Sequence, residues 1–549
     1  MTDDVVSGQG DSDSGVIGRV LAGATRLYPA PAVSVAPLLA AGVVLGAIGD
    51  ALLRDPDGPV NLNLSLSVAA VAVAAVVLHR RAALALDRGR VAWLLVGVLF
   101  AAGLAWRDAA PLKLLALGCA TLAFALAAHR LAASWVRRAG VLRYAVALAL
   151  GALHAWTAAA LALVDATRSP RVESGRSEGW RRAAAIARGL AIAAPLLLVF
   201  GALFMSADAV FADLVSKVIR IDFARIAGHI VLFSICAWLS TGYLRGFLTG
   251  TEPSPPANGR HAMEGPGAAA PKRVTLGTTE TATALGAIDL LFLVFVIVQL
   301  RYLFGGNALV QVTPGLTYAE YARRGFFELV AASVLVVPVL LAADWLVDRR
   351  VRRDVLVFRG LAGLQIGLVL AIAASALQRL RLYHASYGLT EERFYAMVLL
   401  IWIGAMLLWL AATVLRGRRE RFAFGALTSG LATVALLLVV NPDAIVARTN
   451  VARIAPAGAP VRFDAAYAAS QSADAMPVLI DALPALPRDL QCPIARRMLR
   501  RWPPERERSI RGWNWSVERA SDAVRAHEPE LRLMVGPNQR CEAPGAGAR

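Results

Sequence analysis

Apolar runs close to 20 residues long dominate this chain, and they restrict its fold more than any other feature. At 1.5 Å per residue, such a run crosses the roughly 30 Å hydrocarbon core of a bilayer as one α-helix. Twelve segments have this character, at about 33–53, 62–78, 91–106, 112–128, 144–164, 189–207, 226–244, 283–304, 325–347, 355–378, 394–415 and 423–440. They are apolar all round and do not alternate, which excludes an outer-membrane barrel. Hydrophobic residues make up 57% of the 549 residues and charged residues 17%, with a mean hydropathy of +0.56. That is too little charge to cover a soluble surface, so a soluble enzyme and a disordered chain are excluded too. The expected fold class is all-α: a polytopic helical membrane protein of about 11–13 spans with a small, mostly helical C-terminal extramembrane domain.

The organisation follows from shifts in composition. Residues 1–32 begin acidic and polar, without the basic start of a cleavable signal peptide, and read as a disordered cytoplasmic tail. A front membrane region covers 33–250. The stretch 251–273 is rich in Pro, Gly and Ala and reads as a flexible cytoplasmic linker. A back membrane region covers 274–440. Residues 441–549 turn polar and form the soluble domain, with amphipathic helices in FDAAYAASQSADAMPVLIDAL and SIRGWNWSVERASDAVRAHEPELRL. The two halves share no sequence repeat.

Charge orients the spans. The net charge is +18, and almost all the positive charge is arginine, since Lys113, Lys217 and Lys272 are the only lysines. In a soluble protein this would point to nucleic acid; here it marks cytoplasmic loops, and no nucleic-acid partner is expected. Arg349, Arg350, Arg352, Arg353 and Arg359 follow one span, and Arg416, Arg418, Arg419 and Arg421 follow another. Both short loops belong inside, which leaves the C-terminal domain outside. In the front half, the basic stretches on either side of 144–164 both call for the cytoplasm. An eleven-span arrangement meets that demand if 144–164 lies in the interface or re-enters. It gives the inner loops more than twice the basic residues of the outer ones. The turn Trp106–Pro111 joins two short spans as a tight hairpin on the outer side.

Four cysteines are present. Cys119 and Cys236 lie in apolar runs and read as inert. Cys492 and Cys541 are the two in the domain placed outside, where disulfides persist. A bridge between them closes a loop of about 50 residues, worth roughly 3–4 kcal/mol.

Ionisable groups inside a bilayer are costly, so each is a functional candidate. Asp289 lies within one apolar segment, with Arg301 at its outer end, about 18 Å away along the axis. Asp289 therefore needs a partner on another helix or a proton, and reads either as a proton relay or as a packing hydrogen bond. The densest motif is LTYAEYARRGFFEL. Thr317 and Glu320 form a capping box. Glu320 and Arg324 are four residues apart and can pair. Tyr321, Gly325 and Glu328 share a face. Tyr318 and Arg323 complete a group that reads equally as a functional patch or as a headgroup anchor. Two further outer loops carry Arg379, Arg381, His384 and Asp208 with their neighbours. Together these residues form either an outward polar cavity beneath the C-terminal domain or the ion pairs that dock it. His154 and His229 read as packed or interfacial.

The back half carries the runs ETATALGAIDLLFLVFVIVQLRYLFGG, LTYAEYARRGFFELV, RLYHASYGLTEERFYA, NPDAIVARTNVAR and FDAAYAASQSADAMPVL. With RGLAIAAPLLLVFGALFMSADAVF and AWRDAAPLKLLAL, these resemble the bacterial integral-membrane family labelled domain of unknown function 4173, which overlaps the 4153 label. The resemblance begins near residue 35 and leaves out the linker and the last few residues. It implies a polytopic inner-membrane protein with a small extracytoplasmic end. It brings no activity and no catalytic residues.

Three classes of function remain. The first is a non-enzymatic envelope protein, transporter-like or sensing, with the C-terminal domain as its docking or gating part. The second is a membrane glycosyltransferase with a lipid-linked donor, for which Asp55 and Asp57 supply oxygens for a divalent cation; DPDG is equally an ordinary turn. The third is a structural partner of other envelope proteins. The bilayer is the expected surrounding, and no cofactor is indicated. GxSxG, HExxH and P-loop signatures are missing.

Overall fold

A computed structural model describes residues 35–54, 60–84, 87–128, 155–163, 223–249, 277–312, 326–347, 351–454, 463–503 and 510–536, with single positions between them; side chains of 299–328 and a few others are excluded. Among the described residues every regular element is helical.

Ten of these helices are long and apolar enough, by length and composition, to cross a membrane. They are α1 Val35–Leu53, α2 Leu62–Arg81, α3 Arg88–Trp106, α4 Ala110–Ala128, α5 Phe223–Thr249, α6 Thr278–Val312, α7 Phe326–Leu346, α8 Arg352–Tyr387, α9 Glu391–Thr413 and α10 Phe422–Val440. The tail follows as α11 Pro442–Ala452, α12 Ala465–Ser470, α13 Met476–Ala482, α14 Arg488–Arg501, α15 Trp515–Ala526 and α16 Glu528–Val535. Large apolar side chains such as Leu99, Leu114, Leu291 and Trp345 stand exposed on the spans. A bilayer covers such surfaces; water does not. The expected all-α polytopic class holds. Of the segment 144–164, residues 155–163 and three single positions before them are described, all helical; of 189–207 only Phe204 is described.

Small residues set the front packing. Gly42, Gly46 and Gly49 of α1 face α5. A Cβ on Gly46 would lie 2.8 Å from the Ala237 Cβ, and one on Gly49 would lie 2.6 Å from the Cys236 Sγ. Glycine there lets the two backbones approach closely, the usual source of helix association in lipid. The pair is antiparallel: Asp50 near the end of α1 meets His229 near the start of α5 at 2.8 Å.

At one end of the bundle, Arg90 ties three helices together. Its guanidinium donates to the Ala127 carbonyl at 2.9 Å and to the Phe247 carbonyl, and stacks over the Phe247 ring. These carbonyls are the unsatisfied ends of α4 and α5, and a buried arginine supplies the missing donors. Arg80, Arg81, Arg352 and the group Arg416–Arg421 belong to this same basic end. The opposite end carries the tail. Ala128 thus lies at the basic end and Phe223 at the tail end.

One expected loop is a helix. Residues 379–387 continue α8, which runs 36 residues, about 54 Å. It outlasts the hydrocarbon core and carries Arg379, Arg381, Tyr383 and His384 toward the tail on a rigid rod. Gly388, at φ 83°, ends it. Only glycine takes that conformation without strain.

The tail has a core of its own. Met476, Leu479, Ile480, Ile494, Met498, Trp502, Val524 and Leu531 are buried together. Cys492 is disulfide-bonded, and Cys119 and Cys236 are free. Cys541 lies outside the described residues.

Candidate functional site

The tail sits on the membrane bundle through a network centred on Asp474. Ser472 caps the short turn Ala473–Ala475, and this turn presents the Asp474 carboxylate to the α3–α4 hairpin. Its Oδ2 accepts from the backbone N–H of Asp108 at 2.6 Å and of Ala109 at 3.0 Å. These are free donors at the start of α4, where a negative charge is also favoured by the helix dipole. Its Oδ1 accepts from the Ser516 hydroxyl at 2.6 Å and from Arg107 Nη1 at 3.3 Å. Arg107 also donates to the carbonyls of Leu438 at 2.6 Å and Val439 at 3.1 Å, the open end of α10. One ion pair therefore caps two spans and seats the tail.

Around it the contact is equally well satisfied. Asp108 Oδ2 accepts from the Ala473 N–H at 3.0 Å, and its Oδ1 meets Lys113 Nζ at 3.1 Å. Lys113 also donates to Asn61 Oδ1 at 2.7 Å. Asn61 Nδ2 donates to the Gly512 carbonyl at 2.9 Å. Asn514 Nδ2 reaches the carbonyls of Leu104 and Arg107, each at 2.9 Å. Beside this network lies Asp443, fully buried, with Oδ2 accepting from Ser472 and no partner on Oδ1 among the described residues. Burial first, and then the nearby carboxylate of Glu391, pushes Asp443 up to about 7, while the Ser472 hydroxyl holds it down.

A cavity of about 550 Å³ opens where the α8–α9 turn faces the tail. Tyr387, Gly388, Leu389, Thr390 and Arg393 line it from the membrane side. Asn450, Arg453, Phe463, Asp464, Ala465 and Tyr467 line it from the tail. Asn450 braces the two walls reciprocally: it accepts from the Leu389 N–H at 2.8 Å and donates to the Leu389 carbonyl at 2.7 Å. Tyr467 accepts from the Glu391 N–H at 2.8 Å. Burial pushes its hydroxyl up to about 12, so it keeps its proton. Arg393 stacks on Tyr383 and donates to the Gly388 carbonyl. Arg453 donates to the Ala385 carbonyl at 2.8 Å.

Residues 94–482 match the family described as Domain of unknown function (DUF4153). The chain belongs to the DUF4153 family. Of the two overlapping labels in the sequence resemblance, 4153 is the one this match carries. The matched stretch contains the hairpin, Asp443, Asp474 and the whole cavity lining; Cys492, Asn514 and Ser516 lie beyond it. No curated protein and no solved structure matches the chain.

The sequence-derived candidates are dispersed. Arg379 is half-buried and Arg381 exposed on α8; neither lines the cavity, nor does His384. Asp208 is exposed. Arg301 and Glu328 lie in α6 and α7, and their side chains are outside the described set. Tyr318, Glu320, Tyr321, Arg323, Arg324, Asp55 and Asp57 lie outside the described residues altogether. Asp289 is 3% exposed, with neither carboxylate oxygen hydrogen-bonded among the described residues. Among the described residues no group of three or more His, Cys, Asp and Glu side chains could hold a metal ion.

Sequence reasoning passed over Arg107, Asp474, Asn450 and Arg453. WRDAAP was read only as a turn and SADAMP only as the interior of an amphipathic helical segment. The one available signal was Ser-x-Asp before a proline-started helix, which marks a cap and names no distant partner.

Proposed function

We propose that the protein is a non-enzymatic sensor or transporter of the bacterial inner membrane, with the C-terminal domain outside and gating the polar cavity beneath it. The cavity between the α8–α9 turn and the tail carries this reading. Its volume suits a small molecule, and two guanidinium groups against one carboxylate favour an anionic ligand. Two separately folded parts supply its walls, so a ligand bound there couples the tail to α8 and α9. Sidedness is supported by the arginines gathered at the end of the bundle opposite the tail. The Cys492–Cys541 bridge belongs to the same reading: Cys492 is disulfide-bonded, and an oxidising compartment lets such a bond persist.

The test is complementation of a deletion strain profiled for envelope stress. Arg453→Ala removes one cavity cation and one exposed hydrogen bond. The variant is expected to accumulate in the membrane like the wild type, with its tail equally resistant to protease, and to fail in complementation. Full complementation by this variant overturns the reading.

A further inference from the structure

The middle of the back half holds a second polar site, well away from the cavity. Between Thr281 and Val298, α6 has one ionisable residue, Asp289. The facing middles of α7, α8 and α9 have none. A carboxyl there faces hydrocarbon and apolar side chains, the setting in which an unpaired charge is most costly.

The register of the helices supplies its neighbours. The Thr278 hydroxyl at the start of α6 donates to Asp354 Oδ1 at the start of α8. The two helices therefore run parallel from a common level. Asp289 and Gln365 each lie eleven residues further on, about 16 Å up the bundle. Both face inward. Leu285 and Phe292, one turn below and above Asp289, pack in the same cluster as Phe358, Ala362 and Ile366 around Gln365. Gln365 is 2% exposed, and neither atom of its carboxamide has a hydrogen-bond partner among the described residues. α7 closes the third side. Leu285 and Val336 belong to one buried cluster, and Val296 and Leu329 to another, so Ser333, between Leu329 and Val336 on the buried face of α7, turns toward the same interior. Ser333 is 1% exposed, and its hydroxyl donates to the Leu329 carbonyl at 2.7 Å, which leaves the oxygen able to accept.

Two fully buried polar side chains at one level, neither hydrogen-bonded among the described residues, offer a carboxylate and a carboxamide oxygen to a ligand. Buried polar groups in native proteins are otherwise nearly always paired. We infer that Asp289, Gln365 and Ser333 form an intramembrane binding site for a dehydrated monovalent cation of the size of sodium. All the donors are oxygens, the choice of hard cations. The site offers one full negative charge and two neutral oxygens. That balances one positive charge and leaves a divalent ion undercompensated in a medium of low dielectric. The proton is the natural competitor, since a protonated Asp289 can donate to the Gln365 carbonyl oxygen.

This inference is independent of the cavity under the tail, and its test reads ion binding directly. The full-length protein in sodium-free detergent is treated at mildly acidic pH with a hydrophobic carbodiimide, which adds to protonated buried carboxyls. Mass spectrometry then locates the adduct. Labelling at Asp289 is expected, suppressed by sodium chloride and not by choline chloride at equal concentration, and lost in Asp289→Asn. Gln365→Leu removes one oxygen ligand and fills the space with an apolar group. It is expected to label as fast as the wild type without sodium, and to need about tenfold more sodium for half-suppression. Labelling that ignores sodium makes Asp289 a protonated packing acid and overturns the site. No labelling at Asp289, or an unchanged sodium requirement in Gln365→Leu, overturns it equally.

Discussion

Asp474 and Asp289 are both buried aspartates, and their surroundings are opposite. Asp474, at the seam between tail and membrane bundle, accepts from two backbone N–H groups, the Ser516 hydroxyl and Arg107. Asp289, in the middle of the back helices, accepts from no described group. The first carboxylate fills its lone pairs with donors that were themselves unsatisfied helix ends, so the contact satisfies both sides. The second has given up hydration with no hydrogen bond from any described residue. The same residue type is thus structural where its lone pairs are filled and is available for a ligand where they are empty.

That contrast breaks most visibly at Asp474. Asp474→Ala strands Arg107 and two helix N-terminal donors in a buried seam. A loss of about 3–5 kcal/mol is expected, as for other buried pairs stripped of one member. It should appear as a lower unfolding midpoint in detergent and as rapid proteolysis of the tail. A midpoint within the error of the wild type would mean that the seam does not hold the tail.

Asp289→Leu should move in the other direction. Without sodium, the substitution removes a buried group with no hydrogen bond among the described residues and fills the space with apolar atoms, so stability should rise by about 1–3 kcal/mol, read as a higher unfolding midpoint. A loss of similar size would show that Asp289 has a structural partner, and the two aspartates would then differ only in degree.

Asp443 sharpens the comparison, because it lies between the extremes, with one oxygen bonded and one not. Its carboxyl is raised from 3.8 to about 7 in the folded protein. The fold therefore binds a proton that the unfolded chain has already released between those values. Its contribution to stability is complete below about pH 4 and is lost as the pH rises through about 7. Protease sensitivity of the tail should increase from pH 5 to pH 8 in the wild type and flatten in Asp443→Asn. An unchanged slope in that variant would assign the pH dependence to another group.

How far the sequence carried depends on the range of the interaction. The spans were legible because a run of apolar residues near 20 long has one stable place, the bilayer, whatever its neighbours are. The α3–α4 hairpin was legible for the same reason, since Trp106–Pro111 interrupts two such runs. The far end of α8 was not, because Gln378–Tyr387 is polar enough to read as a loop. Arg393 of α9, stacked on Tyr383, and Arg453 of the tail, bonded to Ala385, hold it as a helix. Asp289 stood out as a charge in an apolar run. Gln365 did not, because a neutral amide changes the hydropathy of such a run very little, and only the parallel packing of α6 on α8 puts it opposite.

By itself, then, the sequence determined the all-helical membrane class, the basic end of the bundle and an ionisable residue buried at mid-span, because hydrophobic transfer and charge desolvation act on each segment alone. Only the tertiary structure decided what those groups meet. Residues 474 and 107, 450 and 389, and 289 and 365 are far apart along the chain. A hydrogen bond or a shared ligand needs a distance that no single segment fixes.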